Sequence, residues 1–208
     1  MDLEHELWSL AKYRALLEEQ LVFLREQELL RARAAQDRAA TDEGERDLAL
    51  QQVEILVYEV LPRFYRGPFL ISLWAVFESG VIEVAEYIRK TRSRTLKLRD
   101  IRGRDKKEEW DKYFTHVLDY PLGVEGPTWQ QLDELRQVRN VLAHANGRLD
   151  LSDENTRQQI ERWCAEGRGL SSHYGLLLFS EEYTRQAQVL VTEVLSSLTD
   201  RVRTNFAG

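Results

Sequence analysis

Apolar residues recur along this chain at helical rather than strand spacing. Leu3, Leu7, Leu10, Leu17, Leu21 and Leu24 follow a 4-3 rhythm that breaks at Arg14, as in an amphipathic helix or a short coiled coil. The Arg/Ala-rich stretch 31–40 loses the large apolar side chains but keeps helix formers, so it is expected to be exposed, with a break near Thr41 to Gly44. A second helix is predicted over about Glu45 to Phe64, on Leu48, Val53, Leu56, Val57, Val60 and Leu61, with Pro62 tightening or kinking its last turns. Gly67-Pro68 reads as a turn, Pro68 suiting the first position of the next helix.

From Phe69 to Lys90 the pattern is strongest, with Leu70, Trp74, Phe77, Val81, Val84 and Ile88 in one row. Its first half is apolar nearly all round, which marks the central, most buried element. Asp105 to Leu118 is a further amphipathic helix, and Pro121 to Gly126 a loop. Thr128-Trp129-Gln130-Gln131 has the capping-box form and opens a helix expected to stop at Asn146-Gly147. Ser152 suits the cap of a short helix to about Cys164. Leu170 to His173 and Leu176 to Phe179, separated by Tyr174-Gly175, can pair as a small hairpin. Ser180-Glu181-Glu182 then starts a last helix through about Arg203. The fold class is therefore all-α, with an N-terminal helical arm (1–44), a helical domain (45–208) and a small hairpin near the C-terminus.

Composition narrows the classes. With 4 prolines and 11 glycines in 208 residues, long uninterrupted helices are favoured over a many-turned β fold. Cys164 is the only cysteine, so no intrachain disulfide forms and a thiolate-rich metal site is excluded; a reduced, cytoplasmic setting fits. The N-terminus has no basic region followed by an apolar one, and the run Phe69 to Phe77 is too short to span a bilayer. No membrane, metal or cofactor is expected.

The net charge of −6 conceals an asymmetry: between Arg89 and Lys107 ten Arg or Lys stand against two Asp, leaving 19 against 33 elsewhere. Such a local stripe on an acidic chain is either a solvated basic loop or a phosphate-contacting surface. In the second case Arg92, Arg94, Arg99, Arg102, Arg104, Lys106 and Lys107 would hold an RNA backbone.

The segment with chemical content is Leu132 to Gly147. At 100° per residue Leu135, Val138, Leu142 and Ala145 share one face, while Asn140 and His144 lie one turn apart on the other side, with Arg139 at the edge. Imidazole can take or give a proton near neutral pH. Guanidinium matches phosphate oxygens with two parallel donors. These groups suit cleavage of a phosphodiester by its own 2′-hydroxyl, which needs a base, an acid and a cation. One histidine does not readily fill both proton roles, whereas two copies in a symmetric dimer could. The spacing alone carries little weight, since Arg168-Gly-Leu-Ser-Ser-His173 repeats it in a Gly/Ser-rich turn; that copy is set aside. The bland alternative is a polar helix face with a structural ion pair, Arg139 to Glu78. Glu78 itself reads as a paired structural carboxylate.

Arg139-Asn140-Val-Leu-Ala-His144, late in a helical domain, resembles the Arg-x(4–6)-His motif of the HEPN superfamily. The preceding helix with Phe77-Glu78 and the Trp110 to Leu118 helix are similar to that family's arrangement, and the likeness covers about Asp47 to Gly147. It implies an antiparallel helical bundle, a homodimer whose motifs meet at the interface, and metal-independent endoribonuclease activity with Arg139 and His144 catalytic and Asn140 at the accompanying polar position. It further implies a toxin or effector of a prokaryotic defence or toxin–antitoxin system, with a cognate antitoxin or partner protein. One departure concerns regulation: members controlled by nucleotidylylation carry a tyrosine just after the histidine, and here Ala145-Asn146 follows. The alternative is a non-catalytic interaction or RNA-binding module, for which the leucine row of the arm speaks.

Overall fold

The computed structural model describes residues 3–38 and 43–206, and 80% of the described residues are helical. Helix α1 spans Leu3–Arg38, α2 Glu43–Ile55 and α3 Leu61–Thr91, with a π-helical turn, Leu56–Val60, joining the last two without interruption. α4 (Lys106–Lys112) runs into a second π turn, Tyr113–Val117. α5 (Gly126–Ala145) and α6 (Glu154–Ala165) follow, then strands β1 (Leu170–His173) and β2 (Leu176–Phe179), and finally α7 (Glu181–Phe206). The all-α expectation holds, and the hairpin forms at the expected residues with Leu170 opposite Phe179 and His173 opposite Leu176.

Several boundaries differ from the sequence reading. The break near Thr41 to Gly44 falls largely outside the described residues, and Gly44 is already helical. Gly67-Pro68 is not a turn, because α3 runs straight through it. A proline inside a helix costs about 3 kcal/mol. The buried Phe69, Leu70, Leu73 and Phe77 beyond it contribute about 1.5–3 kcal/mol each and outweigh that cost. Gly67 is there for proximity: a Cβ on it would sit 3.3 Å from Leu142 Cδ2. Pro62 is accommodated by the π turn before it, where the Leu61 N–H reaches back to Leu56 O. Widening that turn relieves the clash a proline ring makes with the carbonyl four residues earlier. α5 begins at Gly126, so Thr128 lies inside its first turn instead of capping it. Asp153, not Ser152, caps α6 by accepting from the Thr156 N–H.

By length and composition the continuous helix 47–91 is able to cross a membrane, with an 18-residue window of mean hydropathy 1.5; half of that window is buried within the protein.

The chain divides into two compact units, to each of which α1, α3, α5 and α7 all contribute. The first comprises residues up to 8, 72–136 and 187 onward. Its core is aromatic: Trp74 and Phe77 (ring centroids 5.2 Å), Phe77 and Trp110 (5.6 Å), Trp110 and Trp129 (6.0 Å) form a continuous chain. Val191, Leu195 and Leu198 of α7 are fully buried beside Val81 and Ile88 of α3 in the same core.

The second unit comprises 9–71 and 137–186. Phe69, Leu70, Val138, Ile160 and Leu177 are fully buried in it. The break in the leucine rhythm has a physical cause here: Arg14 aims at Glu181 in the first turn of α7, 4.0 Å away. One turn on, Glu18 receives Arg66 through both oxygens, at 2.8 and 2.6 Å, while Arg66 Nη1 donates to Phe179 O at 2.8 Å. The hairpin and two helices are thereby tied to one guanidinium.

Candidate active site

The last two turns of α5 carry Arg139, Asn140 and His144. Leu135, Val138, Leu142 and Ala145 are buried as the periodicity requires, and Val141 with them. His144 is exposed, and Arg139 and Asn140 are half-buried. Arg139 Nη1 donates to Asn140 Oδ1 at 3.0 Å. Arg139 Nε is buried and, among the described residues, has no hydrogen-bond partner. Arg139 therefore turns to its neighbouring amide, where the sequence reading had allowed an ion pair with Glu78; Glu78 is half-buried on α3 in the other unit.

The end of α5 is held from several directions. Asn146 and Gly147 take positive φ, 49° and 76°, and the Gly147 N–H reaches Val141 O at 3.1 Å, so left-handed residues end the helix and satisfy one of its last carbonyls. Arg63 Nη1 donates to Asn146 O at 2.7 Å. Leu177 N–H bonds Gly147 O and Leu149 N–H bonds Gly175 O, both at 2.8 Å, so the hairpin clamps the chain directly after the helix. His144 thus stands on a fixed backbone with a ring that no described residue engages, an arrangement suited to a proton-transfer group.

The basic stripe belongs to the first unit. Part of it is structural. Arg89 forks onto Glu86 (2.7 Å twice) and donates to Arg94 O (2.8 Å), and with Lys90 and Lys97 it holds the Glu86 carboxyl well down, at about 2. Arg92 donates to Leu118 O and Asp119 O at 2.8 Å and lies over the Phe206 ring. Arg104 and Lys112 converge on Glu108, whose carboxyl is held at about 2 chiefly by the Arg104 backbone N–H. Lys106 pairs with Glu109 at 3.6 Å and Lys107 sits 5.9 Å from the Trp129 ring centre. Arg94, Arg99 and Arg102 are exposed, and among the described residues no ion pair or hydrogen bond engages their guanidinium groups.

One pair escaped the sequence reading. His173, in the copy of the spacing that had been set aside, bonds Glu59 Oε2 through Nδ1. The spacing itself pointed at this histidine; nothing pointed at Glu59, which reaches it from the π turn between α2 and α3. A cavity of about 440 Å³ lies in the first unit against Leu3, Leu7, Val84 and Tyr87, and neither the Arg139 to His144 segment nor the basic stripe lines it.

Fold and site together define a predominantly helical protein with a polar, arginine- and histidine-bearing helix end. No protein-family profile, curated protein or solved structure matches the chain.

Proposed function

We propose that the protein is a metal-independent endoribonuclease acting through Arg139, Asn140 and His144. The observation that carries this reading is the Arg139–Asn140 hydrogen bond next to an exposed His144, which has no partner among the described residues, on a backbone clamped at its C-terminal end. His144 takes the proton of a ribose 2′-hydroxyl, whose oxygen attacks the adjacent phosphorus as the bond to the 5′-oxygen breaks. That leaving oxygen is protonated by His144 of the partner subunit in a symmetric homodimer, leaving a 2′,3′-cyclic phosphate and a 5′-hydroxyl. Arg139 neutralises the crowded phosphate, with Asn140 fixing the plane of its guanidinium. Of the stripe, Arg94, Arg99 and Arg102 are the side chains available for RNA phosphates.

The HEPN-type bundle and a role as toxin or effector with a cognate partner rest on the resemblance of the Arg139 to His144 segment, and a cytoplasmic setting rests on the single Cys164. RNA carrying a single 2′-hydroxyl in an otherwise 2′-O-methylated strand tests the chemistry: cleavage should fall only 3′ of that nucleotide, and cutting elsewhere would refute attack by the 2′-oxygen.

A second reading, a non-catalytic interaction module, is favoured by α1, where Leu16, Val22, Phe23 and Leu30 are each more than half exposed. Replacing the exposed Leu16, Phe23 and Leu30 by Glu should then abolish partner capture while the chain stays folded.

A further inference from the structure

The hairpin tip carries a residue that the fold does not need. Tyr174 and Gly175 form a two-residue turn with φ of 48° and 73°, the type I′ geometry. The first position of such a turn favours Asn, Asp or Gly, because a Cβ in the left-handed region crowds its own backbone. Tyr174 occupies it with a ring that is 87% exposed, so burial within the protein does not offset the strain. Its ring lies against His173, with centroids 4.2 Å apart and planes inclined by 39°.

His173 is in turn fixed. Its Nδ1 is engaged by the Glu59 carboxyl, and Nε2 has no partner among the described residues. Glu59 comes from the widened turn Leu56–Val60, and π turns of this kind recur at functional positions. A strained aromatic held against an oriented imidazole is a costly way to build a hairpin tip and an economical way to present a flat surface.

We propose that Tyr174 and His173, oriented by Glu59, form a stacking platform for an unpaired nucleobase of RNA. This rests on RNA as the ligand but not on its cleavage. The surroundings favour a base over a protein side chain. Ser171, Ser172 and Gly175 of the hairpin are exposed and polar or small, so the hairpin itself supplies no apolar rim to enclose a partner's anchor. A base stacks on one face and keeps its polar edge in water, which suits an isolated ring. The Nε2 of His173 adds a group able to meet that edge.

The test uses the full chain in a His144→Ala background, with a short fluorescein-labelled oligoadenylate read by anisotropy. Tyr174→Asn, whose side chain tolerates the left-handed turn, should melt at a higher temperature than its parent yet bind the single strand roughly 5- to 100-fold more weakly, the loss of one stacked base. Binding of the same sequence as a duplex, or of an abasic strand, should be unchanged by the substitution. Tyr174→Phe should retain affinity, and Glu59→Gln should lose part of it. Unaltered single-strand affinity in Tyr174→Asn, an equal loss on the abasic strand, or no binding by the parent each overturns the platform. If instead Tyr174 proves to anchor a copurifying protein while RNA affinity is indifferent to it, the nucleobase assignment is likewise overturned. Cleavage by the chain with His144 intact is scored separately, so the nuclease reading and the platform can fail independently.

Discussion

Arg139 donates to the side-chain oxygen of the next residue, Asn140, across 3.0 Å, one helical turn before His144. The bond holds the guanidinium at the helix surface while its Nε stays buried without a partner among the described residues. An arginine fixed in this way keeps its remaining donors aimed outward, as pairing with a phosphate requires.

Replacing Asn140 by Ala should therefore leave the fold intact and lower RNA cleavage by up to about tenfold, the worth of one orienting hydrogen bond. Asn140→Asp should be worse, since a carboxylate would hold the guanidinium as an ion pair and repel the phosphate. Steady-state kinetics of both variants would check the order; an Asp variant as active as wild type would contradict it.

Glu18 and Arg66 are 13% and 12% exposed, and their fork leaves few other routes to satisfy either charge. Arg66→Ala strands a carboxylate, and Glu18→Ala strands a guanidinium beside Phe179 O, so each should cost about 3–5 kcal/mol in chemical denaturation. The double replacement Glu18→Leu with Arg66→Met should cost clearly less than either single change. Additive losses would argue against a coupled pair.

Much of this was legible in advance. The apolar rows of α3 and α5 placed the core and left Asn140 and His144 outside it, because a 3.6-residue period leaves few alternatives over twenty residues. Tyr174-Gly175 between two apolar runs marked the hairpin. The proline signals misled. Pro68 ends helices on local grounds, and only the packing of Gly67 under Leu142 and the burial beyond it keep α3 running. The division of labour in the basic stripe was equally invisible, since whether Arg92 meets Leu118 O or solvent depends on contacts 26 residues apart. Glu59 and His173 are separated by 114 residues, and no local pattern links them.

Glu86 and Glu108 both have carboxyls lowered from 4.5 to about 2, by the Arg89 fork and by the Arg104 backbone N–H respectively. A group depressed on folding contributes stability that is present above its unfolded value and lost as pH falls through the folded one. The tethers of the basic loop should therefore hold to below pH 4 and release between about 4.5 and 2. Carboxyl carbon chemical shifts followed through an acid titration would show it; ordinary midpoints near 4.5 for both groups would contradict it.

If Arg94, Arg99 and Arg102 meet RNA phosphates, replacing all three by Gln should flatten the dependence of log affinity on log salt by roughly 0.7 per lost contact on a single strand. Replacing Arg92 should instead lower thermal stability, because its guanidinium holds Leu118 O and Asp119 O. An unchanged salt slope in the triple variant would remove the stripe from the RNA path.

The most direct measurement is end-group analysis of RNA incubated in EDTA with the wild-type chain and with His144→Ala. Fragments from the wild type should carry 2′,3′-cyclic phosphate and 5′-hydroxyl termini, and their rate of appearance should drop by roughly 10²- to 10⁴-fold in the variant, the range for loss of an acid–base group. Cleavage that survives His144→Ala undiminished, or that appears only when a divalent metal is supplied, would contradict the assignment.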